Sequence, residues 1–225
     1  MQPRVWGPPT WRVLHGLADA CDHARPKFAH RLKRAQDKLL DSLKHTLPCS
    51  LCRKSYTQFH KEAVVAASST PMESSTLLFT LHNKVNAKLG KVGGPDLASV
   101  QSLHSSYRAA GLSPVSDADL CLMLFVFGAC ADALPTPSTE CTRRRKSFRK
   151  MALALAALCR YAGTTKSLHD LGLALRKAFQ LPFSLHNNAD TVCARLTAAT
   201  QVPASTLLKV AKEAVTAGAA AGLSR

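Results

Sequence analysis

Apolar positions along the chain recur at helical spacing. Trp11, Leu14, His15 and Ala18 fall at i, i+3, i+4 and i+7, one stripe of a helix expected from about Thr10 to Cys21. Pro8 and Pro9 precede it, with Thr10 as its N-cap. Phe28, Leu32, Ala35, Leu39 and Leu43 define the apolar face of a second helix, about Pro26 to His45, whose opposite face is strongly basic. Pro48 suits a first helical turn, so a third helix is expected to carry Cys49 and Cys52 at its start. The polar break SSTPMESS precedes a fourth helix through Leu77 to Leu89, which Gly90 ends. After the loop GKVGGPD a short fifth helix runs from Leu97 to Ala110, and GLSP closes the unit near residue 115.

Beyond that point the pattern stays helical: Ala118 to Leu134, Lys146 to Tyr161, Ser167 to Phe179, Asn188 to Thr200 and Ala204 to Ala221. Thr136 to Lys146, which holds TPST and TRRRK, reads as an exposed basic loop. No stretch alternates like a strand, and no Asn-Gly hairpin signal occurs. The fold class is therefore all-α, in two units, 1–112 and 113–225. Three short segments of the first half echo in the second. LLFTLHNKVNAKL resembles LPFSLHNNADTVCARL, SLCRKSY resembles ALCRYAG, and GLADACD resembles GACADAL, in order and at offsets of about 104 to 112 residues. A degenerate copy of the first unit is one reading of the second; chance similarity of Ala/Leu-rich helices is the other.

Composition narrows the class. Apolar residues make up 46% of the chain, enough for a core and against global disorder. The net charge of +16 implies either a solvated basic surface or attraction to a polyanion: nucleic acid, an acidic partner or a phosphate-bearing cofactor. The eight cysteines lack the dense spacing of a secreted disulfide scaffold, and only Cys49 and Cys52 form a CxxC. Cys130 and Cys141 flank the TPST loop and could pair; they and Cys121, Cys159 and Cys193 read equally well as buried thiols. The first 15 residues hold Pro3, Pro8 and Pro9 and no apolar run, so no signal peptide is expected. The apolar run Leu120 to Ala131 is too short to span a bilayer, so no membrane partner is expected.

Three segments can carry chemistry. A CxxC at a helix start places two sulfurs within disulfide reach, with Cys49 expected exposed and Cys52 facing inward. Unpaired amides and the helix dipole favour thiol exchange there. Two zinc ligands, with His45 or His60 joining them, or an inert pair, are the alternatives. His82, Val85, Asn86 and Leu89 share one face of the fourth helix, with Asn83 beside it. An inward histidine with two asparagines suits a planar heterocycle, or else a hydrogen-bonded core. Lys88 and Lys91 could meet phosphates at its far end.

WGPPTWRVLH, PCSLC and HNKVNAKLGK, in this order, resemble the Erv/ALR family of FAD-linked sulfhydryl oxidases over about residues 4 to 110. The resemblance implies a four-helix bundle plus a short fifth helix around FAD, in a homodimer. It also implies oxidation of protein dithiols with O2 as acceptor and H2O2 as product. By the same resemblance Cys49 exchanges with substrate and Cys52 sits beside the isoalloxazine ring as the charge-transfer thiolate. Gly7, Trp11, His15, Tyr56, His82, Asn83, Val85 and Asn86 would line or hold the cofactor, and Lys88 and Lys91 its pyrophosphate. No metal is implied. The chain departs from the family where GLADACD follows LH without a tyrosine. It departs again where VGGPDLASVQSLHSSY replaces a structural cysteine and a tryptophan and leaves Tyr107 as the large ring nearby. A large DNA virus is the expected source and the cytoplasm, at viral assembly sites or in the virion, the expected location. The mitochondrial intermembrane space is the alternative. The rival function is a non-enzymatic basic helical protein that binds nucleic acid or a partner, with the CxxC in a structural zinc site.

Overall fold

The computed structural model describes residues 3–69, 72–91, 96–132 and 139–162. Seven helices follow in order: α1 (Pro3–Asp22), α2 (Pro26–Thr46), α3 (Ser50–Ser69), α4 (Ser74–Lys88), α5 (Leu97–Ala109), α6 (Asp117–Asp132) and α7 (Thr139–Tyr161). There is no strand among the described residues, as the all-α reading expects. The helices expected at Ser167–Phe179, Asn188–Thr200 and Ala204–Ala221 lie outside the described residues, as do Cys193 and the second member of the HN echo.

Helices α1 to α4 pack each against the next, and α4 closes back on α1, which makes a four-helix bundle with α5 laid on α1. Its centre is filled by Val13, Leu17, Leu39, Leu43, Leu78 and Leu81. Helices α6 and α7 pack on α1 and α2 and on each other. Their Met123, Phe127, Met151 and Leu155 belong to the same continuous core as the bundle. That core runs across position 112, where the sequence suggests a boundary between units.

Two helix starts differ from the pattern. Helix α1 begins at Pro3 rather than Thr10 and holds Pro8 and Pro9 inside it. These two prolines supply no N–H to the preceding turn. Thr10, expected as the N-cap, is buried, and its Oγ1 donates to the Trp6 carbonyl at 2.7 Å. Trp6 in turn packs edge-on against Phe127 of α6, a tertiary contact that anchors the first turn. Helix α7 begins at Thr139, so the TRRRK run is helical rather than a loop. Arg144 is buried there, and its Nε donates to the His45 carbonyl at 3.2 Å. Together with Arg53 Nη1, which donates to the Leu47 carbonyl at 2.8 Å, it satisfies carbonyls at the end of α2 that no helical amide reaches. A charge run reads as solvated until a distant helix end claims one of its members.

Other pins are local and polar. Asp22, the last residue of α1, accepts from the Ser74 and Ser75 amides at 2.7 and 2.8 Å and so caps α4, whose own N-cap Glu73 contributes no side-chain bond. Arg12 donates to both oxygens of Asp119, tying α1 to α6. Asp19 is buried and ion-paired with Arg108 of α5, with His104 Nδ1 4.0 Å from the same carboxylate. At Gly16 the chain from α5 to α6 comes so close that a Cβ would stand 2.5 Å from the Pro114 carbonyl oxygen.

Candidate active site

Four helices present stripes at i, i+3, i+4 and i+7 or part of that spacing to one large cleft. From α1 come Trp11 and His15; from α3, Cys52, Ser55, Tyr56 and Phe59; from α4, His82, Val85, Asn86 and Leu89; from α5, Val100, Leu103, His104 and Tyr107. The cleft has a volume of about 1580 Å³. Single small-molecule pockets run to roughly 300–1,000 Å³, so this one accommodates a ligand of dinucleotide size.

The sulfur pair lies on its wall. Cys49 is the N-cap of α3: its carbonyl accepts from Arg53 N at 3.0 Å, and its Sγ accepts from Cys52 N at 3.2 Å. Helix α3 thus starts at Ser50, after Cys49 rather than before it. Both cysteines are free thiols and both are half-buried. The expected contrast of an exposed Cys49 with an inward Cys52 is absent, because the Cys49 side chain turns back over the first turn to cap it. Burial, then the hydrogen bond and charge of Cys49, push the Cys52 thiol up to about 12, while its own backbone amide and the Lys88 ammonium act the other way. Lys88 Nζ donates to Ser55 Oγ beside it.

The same cleft is lined by a cluster of rings. The Trp11 indole and the His82 imidazole stack at 4.0 Å between centroids and 9° between planes. His15 Nε2 and His82 Nδ1 are 3.0 Å apart. Both imidazoles are held down to about 4, His15 chiefly by burial and then by His82 and His104, His82 by burial and then by Lys91. Near neutral pH the pair is therefore uncharged and shares one ring proton, one nitrogen donating and the other accepting. Burial also pushes the Tyr56 hydroxyl up, and that hydroxyl donates to the Leu40 carbonyl at 3.0 Å, fixing α3 to α2.

Of the residues singled out in the sequence, Gly7, Trp11, His15, Cys49, Cys52, Tyr56, His82, Val85, Asn86, Lys88 and Lys91 all line this cleft. Asn83 does not: one residue past His82 the helix has turned it out to solvent. The sequence places the fifth helix at the site with Tyr107 as its ring, but does not single out Val100, Leu103 and His104. Their signal is the spacing of Val100, Leu103, His104 and Tyr107, which appears in the sequence simply as one more amphipathic helix. Among the described residues no group of three or more His, Cys, Asp or Glu side chains could hold a metal ion, so the zinc alternative gathers no ligand set there. No described helix is long and apolar enough to cross a membrane.

The helical bundle opens a dithiol and a stack of rings onto one large cleft. The model of the Erv1 / Alr family matches residues 8–102, from α1 into α5, so this segment is similar to that family. No curated protein and no solved structure matches the chain.

Proposed function

We propose that the chain is a FAD-dependent sulfhydryl oxidase that forms disulfides in protein dithiols, with Cys49 and Cys52 as its redox pair. The observation that carries this reading is that the CxxC opens onto the same large cleft as the Trp11, His15 and His82 rings, in a segment matched by the Erv1 / Alr family, which is known for this activity.

The residues present fit a flavin dinucleotide. Trp11 and His82 offer flat apolar faces for stacking, and the uncharged His15–His82 pair and Asn86 offer donors and acceptors at its edges. Trp6 Nε1 is a buried donor on the cleft wall without a partner among the described residues, a group that a polar ligand atom would satisfy. Lys88 and Lys91 bring positive charge to the same cleft, as a pyrophosphate requires. A bound flavin would supply a two-electron acceptor for the dithiol, one that dioxygen can reoxidise.

In the oxidised form a substrate thiolate attacks Cys49 Sγ. The Cys49–Cys52 bond breaks, a mixed disulfide forms at Cys49, and Cys52 leaves with the electron pair. The second substrate thiol then displaces Cys49, so one substrate disulfide forms as the CxxC becomes a dithiol. Burial opposes charge on Cys52, and Lys88 offsets part of that opposition. Leu47, Tyr56 and Phe59 line the same cleft as the sulfurs.

The purified chain is expected to be yellow with a flavin absorption spectrum and to consume oxygen when given dithiothreitol. Cys49→Ala and Cys52→Ala are each expected to lower that uptake by at least about 10²-fold, the scale seen when a nucleophile is removed. A colourless protein, or uptake unchanged in both variants, rejects the proposal.

A further inference from the structure

We propose that the seam between α2 and α7 binds the phosphate backbone of duplex nucleic acid. The two helices lie antiparallel. At one end the Tyr161 hydroxyl accepts from Arg25 N at 2.7 Å and its ring packs on Phe28; at the other, Arg144 reaches the His45 carbonyl. Lys27, Arg31, Arg34 and Lys38 fall at i, i+4, i+7 and i+11 on α2, all exposed, a straight cationic row about 16 Å long. Lys146 and Lys150, also exposed, stand one turn apart on α7.

Each row borders the residues that close the seam. Lys27 adjoins Phe28 and Arg34 adjoins buried Ala35; Lys146 adjoins buried Ser147, and Lys150 adjoins Met151, whose sulfur meets Thr46 Oγ1. The helices therefore carry two distant stretches of sequence onto one basic surface.

The charges on this surface are mostly uncommitted. The acids nearby are held elsewhere: Asp37 by Lys33, Asp41 by Lys44 and Glu140 by Arg143. Lys27 leans over the Phe28 ring, and the remaining five cations form no ion pair among the described residues. A row of unpaired cations spaced by helical turns complements a rod carrying one phosphate charge per roughly 1.7 Å of axis. Single strands are usually gripped by aromatic stacking as well, and here the rings of Phe28 and Tyr161 are turned onto each other. Membrane insertion needs an apolar face, and the large apolar side chain that α7 exposes is Leu153. The seam is separate from the cleft, and the proposal does not depend on the oxidase reading.

The test is fluorescence anisotropy of a labelled DNA duplex of about 24 base pairs, one helical site with flanks on either side, titrated with the full chain at several salt concentrations. With four or five phosphates engaged, affinity should fall about 10²–10³-fold between roughly 50 and 200 mM salt, independently of base sequence. Arg31→Gln, Arg34→Gln and Lys150→Gln should each weaken binding and lower the logarithmic salt slope by about 1, with unchanged circular dichroism. Lys61→Gln, an exposed cation of α3 away from the seam, should leave the slope as it is. Absence of duplex binding overturns the proposal. So does equal weakening by Lys61→Gln, which would mean diffuse charge alone, or retention on phosphatidylserine vesicles through the seam cations without duplex binding.

Discussion

His15 and His82 share a hydrogen bond of 3.0 Å, yet both are held to about 4, well below a free imidazole. The unfolded chain therefore takes up protons before the folded chain does. The stability these groups confer is full above about pH 6.5 and is lost as the pH falls towards 4. For buried His15 alone the effect amounts to about 3 kcal/mol across that window. The urea midpoint is accordingly expected to drop steeply between pH 6.5 and 4.5, and His15→Gln should flatten that slope. A midpoint independent of pH over this range would contradict the uncharged pair. This part of the site was legible beforehand, because a tryptophan and a histidine four residues apart on one helix share a face whatever surrounds them. His104 was not. Its meaning comes from Asp19, 85 positions earlier, and from the cleft behind it, neither of which spacing within α5 encodes.

At the scale of elements, the helix ends rather than the helix bodies resist reading. The spans of α2, α4 and α5 follow from apolar periodicity to within a few residues, since period and core face are properties of one segment. The end of α2 and the beginning of α4 are completed by side chains from other helices: Arg53 and Arg144 at the first, Asp22 at the second. Asp22→Ala is expected to cost about 1–2 kcal/mol, at the upper end for a cap because two amides lose their acceptor. Thermal denaturation would register this as a lowered Tm, and Asp22→Asn should recover part of it. Gly16→Ala should also lower Tm, by forcing the Pro114 carbonyl away from α1; an unchanged Tm would mean that the 113–115 stretch yields freely.

Across the molecule, α6 and α7 cover surfaces of α1 and α2 that a solitary bundle would leave bare. Phe127 is fully buried and packs edge-on against Trp6, so Phe127→Ala should destabilise the fold by about 3–5 kcal/mol. Chemical denaturation should show this as an earlier midpoint in a single transition followed by both tryptophan fluorescence and circular dichroism. Two separated transitions would instead mark residues before and after 112 as independent units. A chain ended at 112 loses the cover that α6 and α7 give to α1 and α2 and is expected to aggregate. The sequence places a division at that point because a Gly-Leu-Ser-Pro punctuation reads as a linker. The continuity of the core across it becomes visible once the helices are assembled.

Trp11 and Arg12 are neighbours on α1 that face in different directions, one into the ring stack and the other to Asp119 on α6. The guanidinium–carboxylate clamp therefore works as a tiller on α1: rolling the helix to loosen one grip must swing the indole. A lesion at Asp119 would register in the ring stack, a displacement steered from beyond the matched segment.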